Sequence, residues 1–139
     1  MVATLVVKTI GEAQHSVRVA AYSFTLKPIA EALVGAHKRG IDIEVVADKS
    51  NMTARYTTAT FLANQEVPVK VDYQYAIMHD KFIVVDGTIV EEGSFNYTAA
   101  AESRNAENVL VLHDASVATQ YSREWDRLWA ESEVLRPNY

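Results

Sequence analysis

The sequence contains no cysteine, and this absence excludes several kinds of site at once. Without a thiol there is no disulfide framework, no thiolate nucleophile and no cysteine-based zinc or iron–sulfur centre. Proline and glycine are also scarce, with three and five residues, and no stretch is dominated by either of them or by serine. Because 49% of the 139 residues are hydrophobic, the composition indicates a single folded domain over residues 1–139 rather than a disordered or linker-rich chain.

Long apolar runs and an excess of positive charge are missing as well. No run approaches the roughly 18 apolar residues of a membrane-spanning helix, and Val2–Val7 is too short and lacks the basic flank of a signal peptide. We therefore expect a soluble chain without stable membrane association. Thirteen Lys and Arg residues against 18 Asp and Glu residues give a formal net charge of -5. This charge disfavours general electrostatic capture of nucleic acid or anionic lipid, so any phosphate binding must come from a local site.

Hydrophobic periodicity predicts alternating helices and strands along the chain. Apolar residues at helical spacing predict helices over Ala3–Ala13, from Pro28 to Gly40, over Thr53–Gln65 and over Ala115–Ala130. Runs rich in β-branched residues predict strands over Ser16–Ser23, Ile41–Ala47, Val67–Tyr73 and Asn108–Leu112, the third being peripheral because of Pro68. The first two strands and their intervening helix form a βαβ unit, which requires parallel pairing. The predicted fold class is α/β, with a mixed, largely parallel central sheet flanked by helices on both faces.

A β-hairpin is predicted around Asp86-Gly87, because this dipeptide readily adopts the positive φ angles of a tight turn. The flanking strand segments are His79–Val85 and Thr88–Glu92. Turn geometry explains Asp86 completely, which favours a structural role over a catalytic one. Strand rise places Asp86 about 20 Å from His79, too far for both to contact one phosphate.

Four polar residues are predicted to meet at the open end of this hairpin. Residues two apart on a strand share a face, so His79 and Lys81 point the same way, and the hairpin register places them beside Ser94 and Asn96. An imidazole, a fixed positive charge, a hydroxyl and an amide together suit an anionic ligand such as phosphate. On spacing alone, however, the same His–Lys pair is compatible with a solvated strand edge.

Other polar and aromatic residues have structural interpretations. Glu91 and Glu92, on the second hairpin strand, are expected to be solvated. Trp125 and Trp129 lie one helical turn apart, so we expect them to pack in the core or a dimer interface rather than to stack on bases.

The pattern His79-x-Lys81-x₄-Asp86-x₆-Gly93-Ser94-x-Asn96 resembles the HKD signature of the phospholipase D superfamily at every defining position. Residues 19–25 (VAAYSFT), 38–41 (KRGI) and 94–108 (SFNYTAAAESRNAEN) are similar to the small, single-motif bacterial endonucleases of the Nuc subfamily. The resemblance implies a phospholipase D/nuclease-like sandwich and the hydrolysis of phosphodiester bonds.

The resemblance also implies roles for individual residues. His79 would attack the phosphorus and form a phosphohistidine, which water then cleaves. Lys81 and Asn96 would hold the non-bridging oxygens, while Ser94 would assist that contact or orient the histidine. Glu107 occupies the position of an acidic residue that orients the catalytic imidazole in the family. No cofactor or metal ion is implied, and the sequence shows no obvious metal-ligand spacing.

Further residues have structural or guiding roles in this interpretation. Asp86 and Gly93 complete the signature as structural residues. Lys49 and Arg55 flank a loop that follows a parallel strand, a place where binding contacts are common. They are candidate phosphate guides, and Arg104 is a third.

The chain contains a single His–Lys motif, although displacement of an alkoxide also requires a proton donor on the side opposite the nucleophile. Most superfamily members carry two motifs in one chain, and 139 residues leave no room for a second such domain. The short members of the family homodimerise instead. The resemblance therefore implies a homodimer in which two copies of His79, one nucleophile and one general acid, meet about one phosphate at the twofold interface.

The resulting hypothesis is a metal-independent, non-specific endonuclease that hydrolyses DNA, with RNA as a further substrate. Two alternatives remain open, namely a phospholipase D-type lipid phosphodiesterase and a catalytically inactive module that keeps a phosphate pocket. By resemblance the expected location is periplasmic or secreted, and the cytoplasm is the alternative because the chain as given shows no signal peptide.

Overall fold

The computed structural model describes residues 2–52, 58–94, 96–98 and 107–135. In these ranges seven strands form one sheet in the order β6-β5-β4-β1-β2-β3-β7, with four α-helices against it. The strands are β1 (Ser16–Ala21), β2 (Asp42–Asp48), β3 (Val69–Asp72), β4 (Phe82–Val85), β5 (Ile89–Gly93), β6 (Val109–His113) and β7 (Glu133–Val134). The helices are α1 (Val2–Gly11), α2 (Lys27–Lys38), α3 (Thr58–Asn64) and α4 (Ala115–Glu131), and a short 3-10 helix, Lys49–Met52, follows β2.

The predicted βαβ unit is present, with β1 and β2 parallel and in register from Ser16 opposite Asp42 to Ala21 opposite Ala47. β2 and β3 are also parallel. The remaining pairings between described strands are antiparallel. The mixed α/β sheet is therefore confirmed, but it is less parallel than predicted because the β4–β5 hairpin, β6 and β7 all add antiparallel neighbours.

Two apolar clusters fill the space between the sheet and its helices. The first lies under α1, α2 and α3 and includes Val6, Ile10, Ile29, Leu33 and Leu62. The second lies under α4, where Trp125 and Leu128 are buried and Tyr121 and Trp129 pack against them. The Trp125 indole nitrogen also donates to the Val19 carbonyl at 3.0 Å. Helices on both faces of the sheet and the predicted apolar face of α4 are thus confirmed.

The boundaries of several elements differ from the predicted ones. The fully buried strand β4 begins at Phe82, so His79 and Lys81 precede the strand instead of lying on it. α3 begins at Thr58 among the described residues, and residues 53–57 of the predicted helix lie outside them. In the described part of the sheet, β3 is separated from the edge strand position by the two-residue β7 alone, close to the peripheral position that Pro68 indicated. No helix within the described ranges is long and apolar enough to span a bilayer.

Candidate active site

The candidate site lies at one end of the central strands, where four strands of the sheet begin or end. Ala20, near the end of β1, pairs with Phe82 at the start of β4, and Phe82 in turn pairs with Glu92 near the end of β5. β2 ends on the same side, since Ala47 pairs with Ala21. The segments that flank these strand ends, including residues 79–81 together with Ser94 and Asn96, therefore gather at this end of the strands.

The structure brings His79 and Lys81 into direct contact. The Lys81 Nζ atom lies 3.0 Å from His79 Nδ1 and 3.3 Å from Nε2, and it donates to the His79 carbonyl at 3.0 Å. An ammonium group can donate only to a ring nitrogen that carries no proton. Burial lowers the pKa of Lys81, and the carboxylates of Glu107 and Asp80 offset only part of that effect.

Tyr22 forms one wall of the site, a role that the sequence interpretation missed. Its ring centroid lies 4.6 Å from that of His79, with the planes tilted by 54°. Lys81 Nζ lies 5.8 Å from the centre of the same ring. Tyr22 directly follows β1, and its position after a buried strand was the signal available in the sequence.

Ser94 and Glu107 contact each other beside the end of β5. The Ser94 hydroxyl donates to Glu107 Oε1 at 3.3 Å and accepts the Asn108 amide at 3.0 Å, while the Ser94 amide donates to the Asn108 carbonyl at 3.1 Å. Within the described part of the chain, no hydrogen bond joins the Glu107 side chain to His79. The orienting roles proposed for Glu107 and Ser94 therefore stay predictions.

Asn96 is half-buried and follows Ser94 by two residues. Its Oδ1 atom is buried without a hydrogen-bond partner in the described part of the chain. Its backbone carbonyl accepts the Thr98 amide at 2.8 Å. Within the described part of the chain, Asn96 Oδ1 thus makes no hydrogen bond that would stabilise the fold. The contact between the Asn96 side chain and phosphate stays a prediction.

Gly93 is required by the backbone at the end of β5. Its φ angle is 154°, and a Cβ atom at this position would collide with the Asn108 carbonyl. Only glycine combines this backbone conformation with such a close approach of the neighbouring strand. The place of Gly93 in the signature therefore has a structural explanation.

Asp86 lies at the other end of β4, away from His79. Its carboxylate accepts the backbone amides of Gln14, His15 and Ser16 at 2.7–3.2 Å, which ties the β4–β5 turn to the start of β1. Burial acts to raise the pKa of Asp86, but the hydrogen bonds from Ser16, His15 and Gln14 outweigh it and lower the pKa. These contacts support the structural role predicted for Asp86, and the turn itself has positive φ angles of 55° at Asp86 and 66° at Gly87.

Asp48, at the end of β2, supports the segment that carries His79. This fully buried carboxylate accepts the Met78 amide at 2.6 Å and the Ser50 amide at 3.0 Å. Met78 directly precedes His79, so Asp48 holds the backbone at the candidate nucleophile. The predicted strand ended at Ala47, so the sequence interpretation missed both the extension of β2 to Asp48 and this contact.

Asn51 supports the Tyr22 side of the site in the same way. Its Nδ2 atom donates to the carbonyls of Tyr22 at 2.8 Å and Asp48 at 2.9 Å, and its Oδ1 accepts the Phe24 amide at 3.3 Å. The buried amide thereby joins the segment after β1 to the segment after β2. A polar residue close behind a buried strand was again the only signal in the sequence.

The expectation that Glu91 is solvated is wrong. Its side chain is 0% exposed because it shares a sheet face with its pairing partner Ile83, under the helices of the first cluster. The Tyr97 hydroxyl donates to Glu91 Oε2 at 2.7 Å. Burial raises the pKa of Glu91 to about 8, and the hydrogen bond from Tyr97 opposes this shift only in part. Glu92, on the opposite face, is half-buried.

The candidate phosphate guides have different outcomes. Lys49 is half-buried and opens the 3-10 helix that follows β2, on the same side of the sheet as His79. Arg55 and Arg104 lie outside the described residues. No three His, Asp or Glu side chains within the described ranges are grouped so that they could hold a metal ion.

Comparison with known proteins places the chain among phospholipase D-like proteins. Residues 6–129 match the family model described as cardiolipin synthase, PLD-like domain. The solved structure of Nuc, a phospholipase D family member from Salmonella typhimurium, is 39% identical with a TM-score of 0.93, covering 96% of this chain and 90% of Nuc.

Curated relatives agree with this assignment. A phospholipase D of Rickettsia bellii is 37% identical over 116 residues, or 84% of this chain and 58% of the relative. A mitochondrial cardiolipin hydrolase of Xenopus laevis is 35% identical over 135 residues, or 97% of this chain and 64% of the relative. The chain thus spans less than two thirds of the length of these curated relatives. The family match over residues 6–129, together with these identities, confirms the resemblance drawn from the HKD signature, and the chain belongs to the phospholipase D-like family.

Proposed function

We propose that the chain is a phosphodiesterase that hydrolyses nucleic acid through a covalent phosphohistidine on His79. The observation that carries the proposal is the contact between His79 and Lys81, with 3.0 Å between Nδ1 and Nζ at an exposed strand end. An exposed imidazole beside an ammonium group supplies a nucleophile and an electrostatic partner for the phosphate in one place.

The proposed reaction has two displacements at phosphorus. In the first, a ring nitrogen of His79 bonds to phosphorus while the bond to the leaving oxygen breaks, and a general acid protonates that oxygen. In the second, water attacks the phosphohistidine, the same acid group accepts the proton of the water, and the bond between phosphorus and nitrogen breaks. Lys81 and Asn96 hold the non-bridging oxygens through both steps.

The general acid is proposed to be the partner subunit's His79 in a homodimer. The sequence has four histidines, and the other three lie at the far end of the sheet from His79. The His15 amide contacts Asp86 at the hairpin turn, His113 pairs with Ile89 next to that turn, and His37 is in the last turn of α2, before β2 begins. No second histidine of the same chain can therefore reach the site, and a twofold axis through it would supply one.

Nucleic acid is the proposed substrate because residues 94–108 resemble small bacterial endonucleases and because the chain matches nearly the whole of Nuc. A lipid phosphodiester is the second candidate, and a specific feature favours it. Three exposed apolar side chains precede His79 in sequence, namely Tyr73, Tyr75 and Ile77, at 47%, 39% and 50% exposure. Exposed apolar side chains in the segment that leads to the phosphate site would suit the surface of a membrane. The curated relatives named phospholipase D and cardiolipin hydrolase are consistent with this alternative.

The substrate is tested by incubating the purified chain with supercoiled plasmid or with vesicles of cardiolipin and phosphatidylcholine, both in excess EDTA. We expect nicking and degradation of the plasmid, complete loss of activity in His79→Asn, and wild-type activity in the matched control His113→Asn. Intact plasmid with released lipid products would overturn the nuclease proposal in favour of the lipid candidate. Inactivity on both substrates would favour the inactive phosphate-binding module.

The shared site is tested by mixing wild-type and His79→Asn chains under conditions that allow subunit exchange. If each site needs two His79 side chains, activity falls as the square of the wild-type fraction. A linear fall, or full activity of a monomer in light scattering, would overturn the dimeric mechanism. Acid-labile, alkali-stable labelling of His79 by a radioactive substrate tests the covalent step separately.

A further inference from the structure

Glu91 and Tyr97 form a buried polar pair that the proposed reaction does not use. Both side chains are 0% exposed, and 2.7 Å separates the Tyr97 hydroxyl from Glu91 Oε2. The other oxygen of Glu91, Oε1, has no hydrogen-bond partner within the described ranges. Burial of an ionised carboxylate with a single neutral hydrogen-bond partner has a high free-energy cost. Such a carboxyl group is therefore expected to be protonated or to have a role that compensates for this cost.

Tyr97 is held on its main chain as well as through its hydroxyl. Its amide donates to the Ser23 carbonyl at 3.1 Å, and its own carbonyl accepts the amides of Thr25 and Leu26 at 2.8 Å each. Phe24 forms a parallel bridge with Tyr97, and their ring centroids are 5.6 Å apart. Tyr97 is thereby joined to the segment that follows β1, the same segment in which Tyr22 contacts His79.

Asn96 lies between two residues that are each held in place. On one side Ser94 exchanges hydrogen bonds with Asn108, at 3.0 and 3.1 Å. On the other side Tyr97 is bound to Glu91 and to residues 23–26. The backbone on both sides of Asn96 is therefore held by hydrogen bonds, and the Glu91–Tyr97 contact is one of them.

We propose that Glu91 and Tyr97 form a positioning pair that fixes Asn96 at the phosphate-binding edge of the site, with Glu91 acting as a neutral carboxylic acid. The inference rests on the proposed role of Asn96 in holding a phosphate oxygen. Neither Glu91 nor Tyr97 touches the reacting atoms, so both act only through Asn96.

The surroundings of Glu91 support the neutral form. Its neighbours across the sheet are Ile83 on β4 and Val111 on β6, and neither carries a charge. Among the described residues, the titratable groups that act on Glu91 are Tyr97, through its hydroxyl, and Glu92, whose negative charge further disfavours ionisation. Burial raises the pKa of Glu91 to about 8, so ionisation at higher pH would place a negative charge beside Tyr97 and change the hydrogen bonding and the electric field next to Asn96.

The test is the nuclear magnetic resonance signal of the Asn96 side-chain amide, recorded between pH 6 and pH 10 without substrate. In the wild type we expect this signal to shift with a midpoint near the Glu91 pKa of about 8. In Glu91→Gln, which keeps an oxygen acceptor for Tyr97 but cannot ionise, the shift should disappear. A titration in both proteins, which would point to Lys81, or in neither protein, would overturn the proposal.

Kinetics provide a second readout. Tyr97→Phe should lower kcat on the order of tenfold, as expected when a transition-state donor loses its position, with little change in KM. The matched control Tyr121→Phe, which removes a hydroxyl on the other face of the sheet, should retain wild-type kcat. Equal kcat in Tyr97→Phe and the control would overturn the positioning role. If no phosphodiester is cleaved but the Asn96 signal titrates as expected, the proposed function fails and the positioning pair stands.

Discussion

Substitution of Asp86 provides a direct test of how the HKD signature divides between chemistry and structure. Its carboxylate accepts three backbone amides, from Gln14, His15 and Ser16, and its φ angle of 55° is in the left-handed region. Asp86→Ala removes all three acceptor contacts and places a Cβ-bearing residue without a polar side chain in that conformation. Asp86→Asn keeps one oxygen acceptor, and asparagine tolerates the left-handed region well.

The expected magnitudes follow from these contacts. Each hydrogen bond to this partly exposed carboxylate contributes about 1 kcal/mol net, and alanine in the left-handed region costs about 1 kcal/mol more. Asp86→Ala should therefore lower the free energy of unfolding by about 3–4 kcal/mol. Asp86→Asn should lower it by about 1–2 kcal/mol, because one acceptor oxygen remains.

Urea unfolding followed by circular dichroism measures these changes, and phosphodiester cleavage at a temperature where each variant is folded measures the activity. We expect kcat per folded molecule to stay close to the wild-type value in both variants. The structural interpretation is refuted if Asp86→Ala keeps its urea midpoint and loses its activity, because Asp86 would then act on the chemistry.

Three further predictions concern residues around the site. Gly93→Ala should lower the free energy of unfolding by at least about 2 kcal/mol, because the added Cβ collides with the Asn108 carbonyl next to β6. The control Gly35→Ala, in the middle of α2 where a Cβ meets no other atom, should raise the free energy of unfolding by about 0.5–1 kcal/mol. Urea unfolding midpoints compare the two variants. Burial raises the pKa of Glu91 from its usual value of 4.5 to about 8 in the folded state. Between these two pH values the folded chain binds more protons than the unfolded chain, so the free energy of unfolding falls as pH rises. The slope should approach about 1.4 kcal/mol per pH unit and vanish in Glu91→Gln, and an unchanged slope in urea titrations of that variant would contradict the assignment. Asp48→Ala removes the acceptor of the Met78 amide, so hydrogen exchange at Met78 should accelerate on the order of tenfold, and unchanged protection would show that this contact does not hold the segment.

The sequence predicted the elements that follow from periodicity and turn chemistry. The βαβ unit, the hairpin at Asp86-Gly87 and the apolar face of α4 are all present, because each depends on local spacing that burial then reinforces. β7 (Glu133–Val134) was missed because two residues carry no period. The extent of parallel pairing was overestimated because strand direction after the hairpin depends on long-range contacts, which local patterns do not encode.

The supports of the candidate site were the part that sequence patterns could not predict. Asp48, Asn51 and Glu91 are polar side chains that the composition of their segments would place in water. Their burial follows from partners distant in sequence, such as the Met78 amide for Asp48 and the Tyr97 hydroxyl for Glu91. In a single sequence, residue types indicate candidate substrate-binding residues. They do not show which buried groups hold those residues in place.

The spacing within the HKD signature follows from the geometry of the β4–β5 hairpin, which connects the candidate catalytic residues with the structural residues Asp86 and Gly93. The four residues between Lys81 and Asp86 are the whole of β4, and the six between Asp86 and Gly93 complete the turn and run along β5. With Phe82 opposite Glu92, the tight turn at Asp86 sets the register that places Gly93 across from Lys81 and Ser94 one residue further along. A slip of one residue would turn every side chain of β5 to the opposite face, exchanging Glu91 with its neighbours and moving Ser94 away from the site. Asp86 therefore has a structural role at the far end of the strand, where its hydrogen bonds stabilise the turn that fixes this register.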